Sequence, residues 1–300
     1  MDIDTSAGND VAPLRGQDWE QGRMHDYSNE LAFALGVAAD AGTILLDHYE
    51  RLERIDAKGE GDVVTEADHL SERCILEAIR ARFPADAILA EESGEHPAGD
   101  TTPTSGVGRV WIVDPLDGTV NYANGIPVFS VSIALAVDGV ATVGVVLDPI
   151  RREVYAATVG GPATLDGRVV TTSRKESVSD LVIAMVDDIG RPPSLGRAHG
   201  RVLRARSLGS AALELAYVAN GRFDAFIQRG GLSTWDIAAA GLIAERGGAI
   251  VTSAEGTPWL DLTRSPGAAS IVAAPAAHHA AFLEISKRRR RRAPPRTPDA

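Results

Sequence analysis

Five acidic side chains stand where short apolar segments end or where a helix is predicted to begin: Glu91, Glu92, Asp114, Asp117 and Asp236. Open α/β sheets bind ligands at the ends of their strands. Carboxylates that meet in such a place need a cation to neutralise them, because unpaired negative charges cannot share a dry site. The ligands would be hard oxygen atoms without a His or Cys cluster, which suits Mg²⁺ rather than zinc. The pattern therefore indicates a magnesium site.

The run 114–119 (Asp-Pro-Leu-Asp-Gly-Thr) is the most informative part of this pattern. It wraps two carboxylates around one backbone turn, and Gly118 allows another group to approach the backbone closely. The amides of Gly118 and Thr119 would then be suited to hold a phosphate. Each acid alone also has an ordinary structural explanation, as a turn former, a solvated side chain or, for Asp236, a helix N-cap. That explanation accounts less well for all five together.

Composition places the chain among globular proteins and decides little about function by itself. The 300 residues are 44% hydrophobic and 24% charged. Neither a P-loop nor a Rossmann glycine fingerprint is present, so nucleotide-cofactor chemistry has little support. The formal net charge of −11 divides into +6 for residues 287–300, from seven basic residues and one Asp, and −17 for residues 1–286. A body that acidic repels the phosphates of nucleic acids.

Several sequence features bear on where the protein works. The single cysteine, Cys74, cannot form an intramolecular disulfide, which fits a reducing cytoplasm. No apolar run approaches the roughly 20 residues that span a bilayer. The polar, acidic N-terminus does not read as a signal peptide. We therefore expect a cytoplasmic protein with no membrane partner.

The hydrophobic pattern divides the chain into three parts. Residues 1–27 lack periodicity and are predicted to be a flexible arm, and residues 287–300 form a basic tail that is predicted to be disordered. Residues 28–286 between them alternate between helical and strand-like spacing. Helices are predicted from about 28, over 68–83, near 194–204, over 210–220 and 235–246, and from 276. Strands are predicted at 87–91, 110–114, 128–137, 142–148, 154–157, 181–186, 223–228, 249–253 and 270–275.

This alternation of strands and helices predicts an α/β fold in stacked layers. The Asp138-Gly139 pair between the strands 128–137 and 142–148 predicts a hairpin turn. Within the helix over 68–83, helical spacing predicts an inward face made of Leu70, Cys74, Ala78 and Ile79.

Two long segments resemble the signatures of the inositol monophosphatase family: WIVDPLDGTVNYANGIPVFSVSIAL (111–135) and STWDIAAAGLIAERGGAI (233–250). The matching context continues in GDVVTEADHLSE (61–72), AEES (90–93) and SLGSAALELAYVANGRFDAF (207–226). The resemblance covers roughly residues 28–286, in the order expected of the family. It implies a layered αβαβα sandwich of the inositol monophosphatase/fructose-1,6-bisphosphatase type, with two sub-domains that divide near 155–180. It also implies a homodimer.

The resemblance further implies which residues carry the chemistry. Two or three Mg²⁺ ions would be held by Glu91, Asp114, the backbone carbonyl of Leu116, Asp117 and Asp236. Glu91 would also help to orient the attacking water, and the Thr119 hydroxyl would position that water while paired with Asp68. For Asp68 the alternative is a purely structural helix N-cap. Direct attack by water needs no covalent nucleophile.

The residues implied in substrate binding are Asp117, Gly118, Thr119, Gly209, Ser210, Ala211, Gln228, Arg229 and Asp236. Relatives that act on inositol phosphates usually carry a Glu before the second signature, and here that stretch, 227–232, contains no acid. Gln228 could still bond a hydroxyl, whereas Arg229 would favour a second phosphate or a carboxylate. Inositol monophosphate remains the leading substrate. Fructose 1,6-bisphosphate, histidinol phosphate and 3′-phosphoadenosine 5′-phosphate are the alternatives.

A hypothesis from another class concerns the six consecutive basic residues 287–292. Such a block can bind RNA or anionic lipid, and some family members are thought to act as accessory proteins in transcription complexes. A solubilising tail is the more common explanation. A pure binding module would have no need of the complete ligand set described above, so the sequence favours an enzyme.

Overall fold

The computed structural model describes residues 26–51, 55–59, 62–185 and 202–287. In these ranges the helices are α1 (Ser28–His48), α2 (Glu66–Arg82), α3 (Thr119–Ala123), α4 (Ala211–Ala216), α5 (Thr234–Arg246) and α6 (Ala276–Lys287). The strands are β1 (Ile55–Gly59), β2 (Asp62–Thr65), β3 (Ala87–Ala90), β4 (Gly94–His96), β5 (Arg109–Asp117), β6 (Ser130–Val137), β7 (Val140–Asp148), β8 (Glu153–Thr158), β9 (Thr164–Leu165), β10 (Arg168–Val169), β11 (Val182–Ala184), β12 (Arg204–Arg206), β13 (Ala225–Leu232), β14 (Ala249–Thr252) and β15 (Ala269–Pro275).

Two sheets form the frame of the molecule. The larger sheet has the strand order β10-β9-β8-β7-β6-β5-β3-β4, and the smaller one has the order β12-β11-β13-β15-β14. Most neighbours are antiparallel, but β3 and β5 run in parallel, with Ala90 opposite Val113. Parallel strands end at the same edge of a sheet, so the residues that follow β3 meet the end of β5. The predicted hairpin joins β6 to β7, and Asp138 and Gly139 both adopt positive φ there (49° and 76°).

Helices cover the sheets in alternating layers, which confirms the predicted αβαβα sandwich. Helices α1 and α2 pack on one face of the larger sheet around buried Leu45, Ile79 and Trp111. Helices α4 and α5 fill the space between the two sheets. Helix α6 covers the outer face of the smaller sheet, where Phe282 and Ile285 are buried. The division predicted near 155–180 falls where the chain leaves the larger sheet for the smaller one, and the division itself stays a prediction.

Helix α2 buries a different face from the one predicted. Leu70, Cys74 and Ala78 are only partly buried, whereas Ile79 is buried as expected. The inward face instead carries Ala67, Asp68, Ser71, Glu72, Ile75, Leu76 and Ile79. The prediction of this face was wrong because it assumed that polar residues face solvent. Three polar residues of α2 point inward, and their partners are in the candidate site.

A second correction concerns the helix predicted near 194–204. Residues 194–201 lie outside the described residues, and residues 204–206 form the edge strand β12, which pairs in parallel with β11. The predicted arm and tail also lie outside the described residues, except for Asp26, Tyr27 and Lys287. By length and composition alone, α1 is the one described helix that could cross a membrane. Its buried side packs against α2 and the larger sheet, as the core helix of a globular domain does.

Candidate active site

The turn that ends β5 is the centre of the candidate site. The Glu91 amide donates to Val113 O at 3.1 Å, so the β3–β5 ladder continues until Glu91 lies beside Asp114. The ladder between β5 and β6 shifts between Asp114 and Asp117, which bends the end of β5 into a turn. Within that turn the Leu116 amide donates to Asp114 Oδ1 at 3.1 Å. Asp114 and Asp117 are both buried.

Gly118 links this turn to helix α3 and has a backbone that favours glycine. Its φ is 94°, in the left-handed region. A Cβ at this position would lie 3.1 Å from the carbonyl oxygens of Gly209 and Val128. The chain can therefore turn here against two neighbouring backbones and begin α3 at Thr119.

Helix α5 brings Asp236 to the same place. Asp236 is the third residue of the helix, and its Oδ2 accepts the Ser233 amide at 2.7 Å. Ser233 is the N-cap and forms a capping box with Asp236. Asp236 is therefore not the N-cap that the structural alternative required. The Ser132 hydroxyl of β6 donates to Trp235 O at 3.3 Å, which ties the start of α5 to the larger sheet.

The carboxylates of the site crowd one another. The pKa of Asp114 lies well above its usual range, because the side chain is buried and because Glu91, Asp117 and Asp236 are negatively charged neighbours. The pKa of Asp236 is also raised well above its usual range, by burial and then by Asp117. Burial raises the pKa of Asp117 too, against the hydrogen bonds that it accepts. Glu91, Asp117 and Asp236 thus each disfavour the charged form of the Asp114 side chain.

This donor set fits a hard divalent cation. It consists of four carboxylates and the adjacent Leu116 carbonyl, all oxygen donors, and the cluster concentrates negative charge that a cation would offset. Among the described residues, no three His, Cys, Asp or Glu side chains already stand in a metal-binding arrangement. Asp114, Asp117 and Asp236 instead accept hydrogen bonds from nearby amides, and Asp117 also accepts them from two hydroxyls. The ligand roles of Glu91, Asp114, Leu116, Asp117 and Asp236 stay predictions.

The polar face of α2 contacts the two turns that carry the carboxylates, the one after β3 and the one at the end of β5. The Ser71 hydroxyl donates to Pro115 O at 2.9 Å. Glu72 is buried, and its Oε2 accepts the Glu92 amide at 2.8 Å. Sequence reasoning did not single out Ser71 or Glu72. The available signal was their position three and four residues after Asp68, which puts all three on one side of a helix.

Asp68 and Thr119 are in contact, as the resemblance implies. The Thr119 hydroxyl lies 3.1 Å from Asp68 Oδ1 and 2.9 Å from Leu116 O. The other carboxylate oxygen of Asp68 accepts the amide and hydroxyl of Thr65, at 2.8 and 2.6 Å. Thr65 is thus the N-cap of α2, and Asp68 completes its capping box from the third position. The N-cap alternative for Asp68 is wrong in its position, and the carboxylate serves both the helix start and Thr119.

The loop before α4 faces Asp117. The Asp117 carboxylate accepts the Ser210 hydroxyl at 2.5 Å and the amides of Ala211 and Ala212 at 3.1 and 2.9 Å. It also accepts the Ser130 hydroxyl at 3.2 Å. The structure therefore brings the predicted substrate-side loop against the predicted metal turn, although the two are more than 90 residues apart in sequence.

Asn121 fixes the same loop from the other side. Its amide nitrogen donates to Val128 O at 2.8 Å and to Leu208 O at 2.7 Å. A Cβ on Gly209 (φ 82°) would lie 2.9 Å from that nitrogen. Asn121 thus holds the turn of the first signature and locates Gly209 next to it.

Gln228 and Arg229 lie in an irregular part of β13. The pairing with β15 shifts between Gln228 and Leu232, and Gly230 and Gly231 both have positive φ. Gln228 is buried, and its amide nitrogen donates to Gly230 O at 2.8 Å. The amide nitrogen of Gln228 is therefore occupied within the irregular part of β13. This weakens the expectation that Gln228 binds a substrate hydroxyl. Arg229 is exposed.

A cavity of about 570 Å³ opens beside Glu91. Trp235 and Thr234 of α5 line one side of it, and Arg264 and Pro266 close another. A cavity of this volume accepts a ligand of metabolite size. It reaches the carboxylate cluster through Glu91, but none of the predicted substrate-binding residues lines it.

Comparison with known proteins decides the family. The sequence profile described as the inositol monophosphatase family matches residues 26–290. The chain belongs to the inositol monophosphatase family. Membership supports a phosphatase whose activity depends on metal ions, as is typical of this family.

Individual members of the inositol monophosphatase family resemble the chain over most of their length. The Nus factor SuhB of Pseudomonas aeruginosa is 36% identical over 238 residues, which are 76% of this chain and 86% of that protein. A fructose-1,6-bisphosphatase/inositol-1-monophosphatase of Thermotoga maritima is 36% identical over 232 residues, which are 76% and 86%. The crystal structure of the extragenic suppressor protein suhB of Bartonella henselae superimposes with a TM-score of 0.79 at 32% identity, covering 87% of this chain and 99% of that one.

Proposed function

We propose that this protein hydrolyses a small phosphate monoester with Mg²⁺ and a water molecule as nucleophile. The crowding of Asp114 by Glu91, Asp117 and Asp236 is the observation that carries the proposal. Buried carboxylates raise one another's pKa and are costly to bring together unless a cation binds among them. A purely structural role for four such groups would leave that cost without an offset.

Glu91, Asp114, the Leu116 carbonyl, Asp117 and Asp236 would hold the metal ions. When bound, Mg²⁺ neutralises phosphoryl oxygens, lowers the pKa of a bound water and stabilises the leaving alkoxide. The protein side chains then have to orient the substrate and the water. The backbone amides of Gly118 and Thr119 would bind the phosphate at the start of α3.

Thr119 and Asp68 would orient the attacking water. The Thr119 hydroxyl has one proton and two acceptors close by, Asp68 Oδ1 at 3.1 Å and Leu116 O at 2.9 Å. Its proton is therefore committed to the protein, and the lone pairs of its oxygen remain available to accept a hydrogen bond from water. Glu91 would accept the second hydrogen bond of the same water. The two bonds together would aim the water at the phosphorus atom.

Inositol monophosphate is the substrate that we favour. The Thermotoga relative is named for this activity and for fructose-1,6-bisphosphatase activity, and both substrates are small phosphorylated polyols or sugars. Gly209, Ser210 and Ala211 would contact the hydroxyl-bearing part of the substrate, together with Asp117 and Asp236. Arg229 lies in the stretch 227–232, where inositol-specific relatives usually carry a Glu. It therefore favours substrates with a second anionic group more than the rest of the site does.

A panel of phosphate esters tests the proposal. Released phosphate is measured with inositol 1-monophosphate, fructose 1,6-bisphosphate, histidinol phosphate and 3′-phosphoadenosine 5′-phosphate, in Mg²⁺ and in EDTA. We expect turnover of at least one substrate, which EDTA abolishes, with inositol 1-monophosphate as the best. The Asp114→Asn variant should lose activity, while Asp100→Asn, at an exposed loop position, should keep it. Equal inactivity on all four compounds in Mg²⁺ would contradict the proposed function.

A second candidate function is suggested by relatives that carry the name Nus factor SuhB. The basic block 287–292 would be the part of this chain that binds RNA. Truncation after residue 286 separates the two functions. Loss of RNA retention with unchanged phosphate release would support an RNA-associated role for the tail. Unchanged RNA retention, or no retention by the full chain, would leave the tail as a solubilising end. A homodimer and a cytoplasmic location stay predictions.

A further inference from the structure

Glu214 is a completely buried acid in a helix whose other residues are apolar. It lies on α4 among Ala211, Ala212, Leu213, Leu215 and Ala216, and none of its surface is exposed. Its Oε1 accepts the backbone amides of Leu208 and of Gly209, the latter at 3.1 Å. A buried carboxylate is costly, so a hydrogen-bonded role is expected for it. Glu214 therefore uses Oε1 to bind the backbone of the loop that precedes its own helix.

That loop is held on its other side by the candidate active site. Leu208 O accepts the Asn121 amide, at 2.7 Å. Gly209 O lies close to Gly118, where a Cβ would approach it to 3.1 Å. Ser210 then donates its hydroxyl to Asp117. The segment 208–210 is therefore clamped between Glu214 and the turn that carries Asp117.

We propose that Glu214 is a positioning residue for substrate binding, and that it acts through the segment 208–210. This inference rests on the proposed phosphatase function. Glu214 itself does not reach the substrate, because its carboxylate is buried and faces the amides of Leu208 and Gly209. Its hydrogen bonds fix the position of Gly209 and Ser210 relative to Asp117. Loosening the segment would weaken the binding of the leaving group without removing a group that takes part in the reaction.

One carboxylate oxygen accepts both amides, and this allows a sharp test. Glu214→Gln keeps an oxygen in that position, whereas Glu214→Leu fills a similar volume and accepts no hydrogen bond. Glu30→Leu is the matched control, because Glu30 is also a buried acid, on α1, where it pairs with Arg109 at the start of β5, the opposite end of that strand from Asp117. All three variants are first compared with the parent chain by circular dichroism and thermal unfolding.

Kinetics with the best substrate of the panel provide the first measurement. We expect Glu214→Leu to raise KM about 10-fold, the equivalent of one or two lost hydrogen bonds, while kcat changes by less than about 3-fold. Glu214→Gln and Glu30→Leu should stay within about 2-fold of the parent. The Mg²⁺ concentration for half-maximal activity should not move. An unchanged KM in Glu214→Leu, or an equal KM increase in Glu30→Leu, would overturn the proposal.

Hydrogen–deuterium exchange of the amides of 208–210 is a measurement that needs no activity. Exchange should be faster in Glu214→Leu than in the parent and unchanged in Glu214→Gln. Equal protection in all variants would refute the role of Glu214. If the parent chain hydrolyses none of the phosphates, the proposed function fails. Exchange still decides whether Glu214 holds the loop.

Discussion

Thr119 and Asp68 are 51 residues apart in the sequence, yet the Thr119 hydroxyl lies 3.1 Å from an oxygen of Asp68. The same carboxylate caps the start of α2 through Thr65. One acid thus joins the first helix turn of α2 to the first residue of α3. The helix start fixes the direction of the carboxylate, and the carboxylate fixes the Thr119 hydroxyl.

Thr119→Val tests this relationship. Valine has nearly the same shape but no hydroxyl, so the water would lose one of its two proposed acceptors. We expect kcat to fall about 100-fold at saturating Mg²⁺, within the range that proton-handling groups contribute. Asp68→Asn should lower kcat in the same direction, and the double variant should be little worse than Thr119→Val, because the two residues act as a unit. Thr43→Val, at an exposed position of α1, is the control. Fully additive losses would show that the residues act independently.

Gly118→Ala tests the turn itself. The new Cβ would lie 3.1 Å from two carbonyl oxygens, on a backbone with φ of 94°. We expect the free energy of unfolding to fall by about 1–3 kcal/mol, measured by urea unfolding. Gly36→Ala is the matched control, because a Cβ at Gly36 meets nothing within 4 Å. Gly36 is a solvent-exposed position away from the ends of α1, so Gly36→Ala should raise the free energy of unfolding by about 0.5–1 kcal/mol. Equal effects at both glycines would contradict the role of Gly118.

The strands that end at the site could be predicted from sequence because they are short apolar runs bounded by polar residues. The runs 87–91 and 110–114 correspond closely to β3 and to part of β5. Their parallel pairing, which brings Glu91 beside Asp114, is a tertiary property, and no local pattern encodes it. The expectation that Glu91 and Asp114 share one site came from the family resemblance.

The face of α2 could not be predicted from hydrophobic spacing. Asp68, Ser71 and Glu72 are buried because their partners are Thr119, a backbone carbonyl at Pro115 and the Glu92 amide. Polar residues that serve a buried site break the rule that polar groups face solvent. The local contact of Gln228 could not be predicted for a related reason, since the bend of β13 that occupies its amide nitrogen depends on Gly230 and Gly231, and its role in substrate binding stays a prediction.

Arg229→Glu tests substrate choice. The change restores an acid near the position where inositol-specific relatives have one. We expect kcat/KM for fructose 1,6-bisphosphate to fall about 10-fold, because a cation near the second phosphate is replaced by a like charge. kcat/KM for inositol 1-monophosphate should stay equal or rise. Arg73→Glu, at an exposed position of α2, controls for net charge. Equal loss on both substrates would exclude Arg229 from selectivity.

His279 makes the stability of the protein depend on pH. Burial is the main cause that lowers its pKa from 6.5, and Lys287 lowers it further, although a hydrogen bond that the ring donates to the Val272 backbone opposes them. The unfolded chain therefore binds this proton more readily than the folded one. The contribution of His279 to the free energy of unfolding is therefore fully present above about pH 6.5, and it is lost as the pH decreases through the pKa of the folded state. We expect His279→Gln to flatten the dependence of urea midpoint on pH between 7.5 and 5. His69→Gln, at an exposed position, should keep the slope of the parent.

Removal of the metal should expose the repulsion among the site carboxylates. Asp114 is buried next to Glu91, Asp117 and Asp236, so in EDTA at neutral pH its charge opposes folding. We expect Asp114→Asn to unfold at a temperature at least about 2 °C above the parent in EDTA, roughly 1 kcal/mol in a chain of this size. Mg²⁺ should raise the Tm of the parent and of Asp100→Asn much more than that of Asp114→Asn, because binding to the folded state stabilises it. Equal Mg²⁺ responses in all three proteins would show that Asp114 is not a ligand.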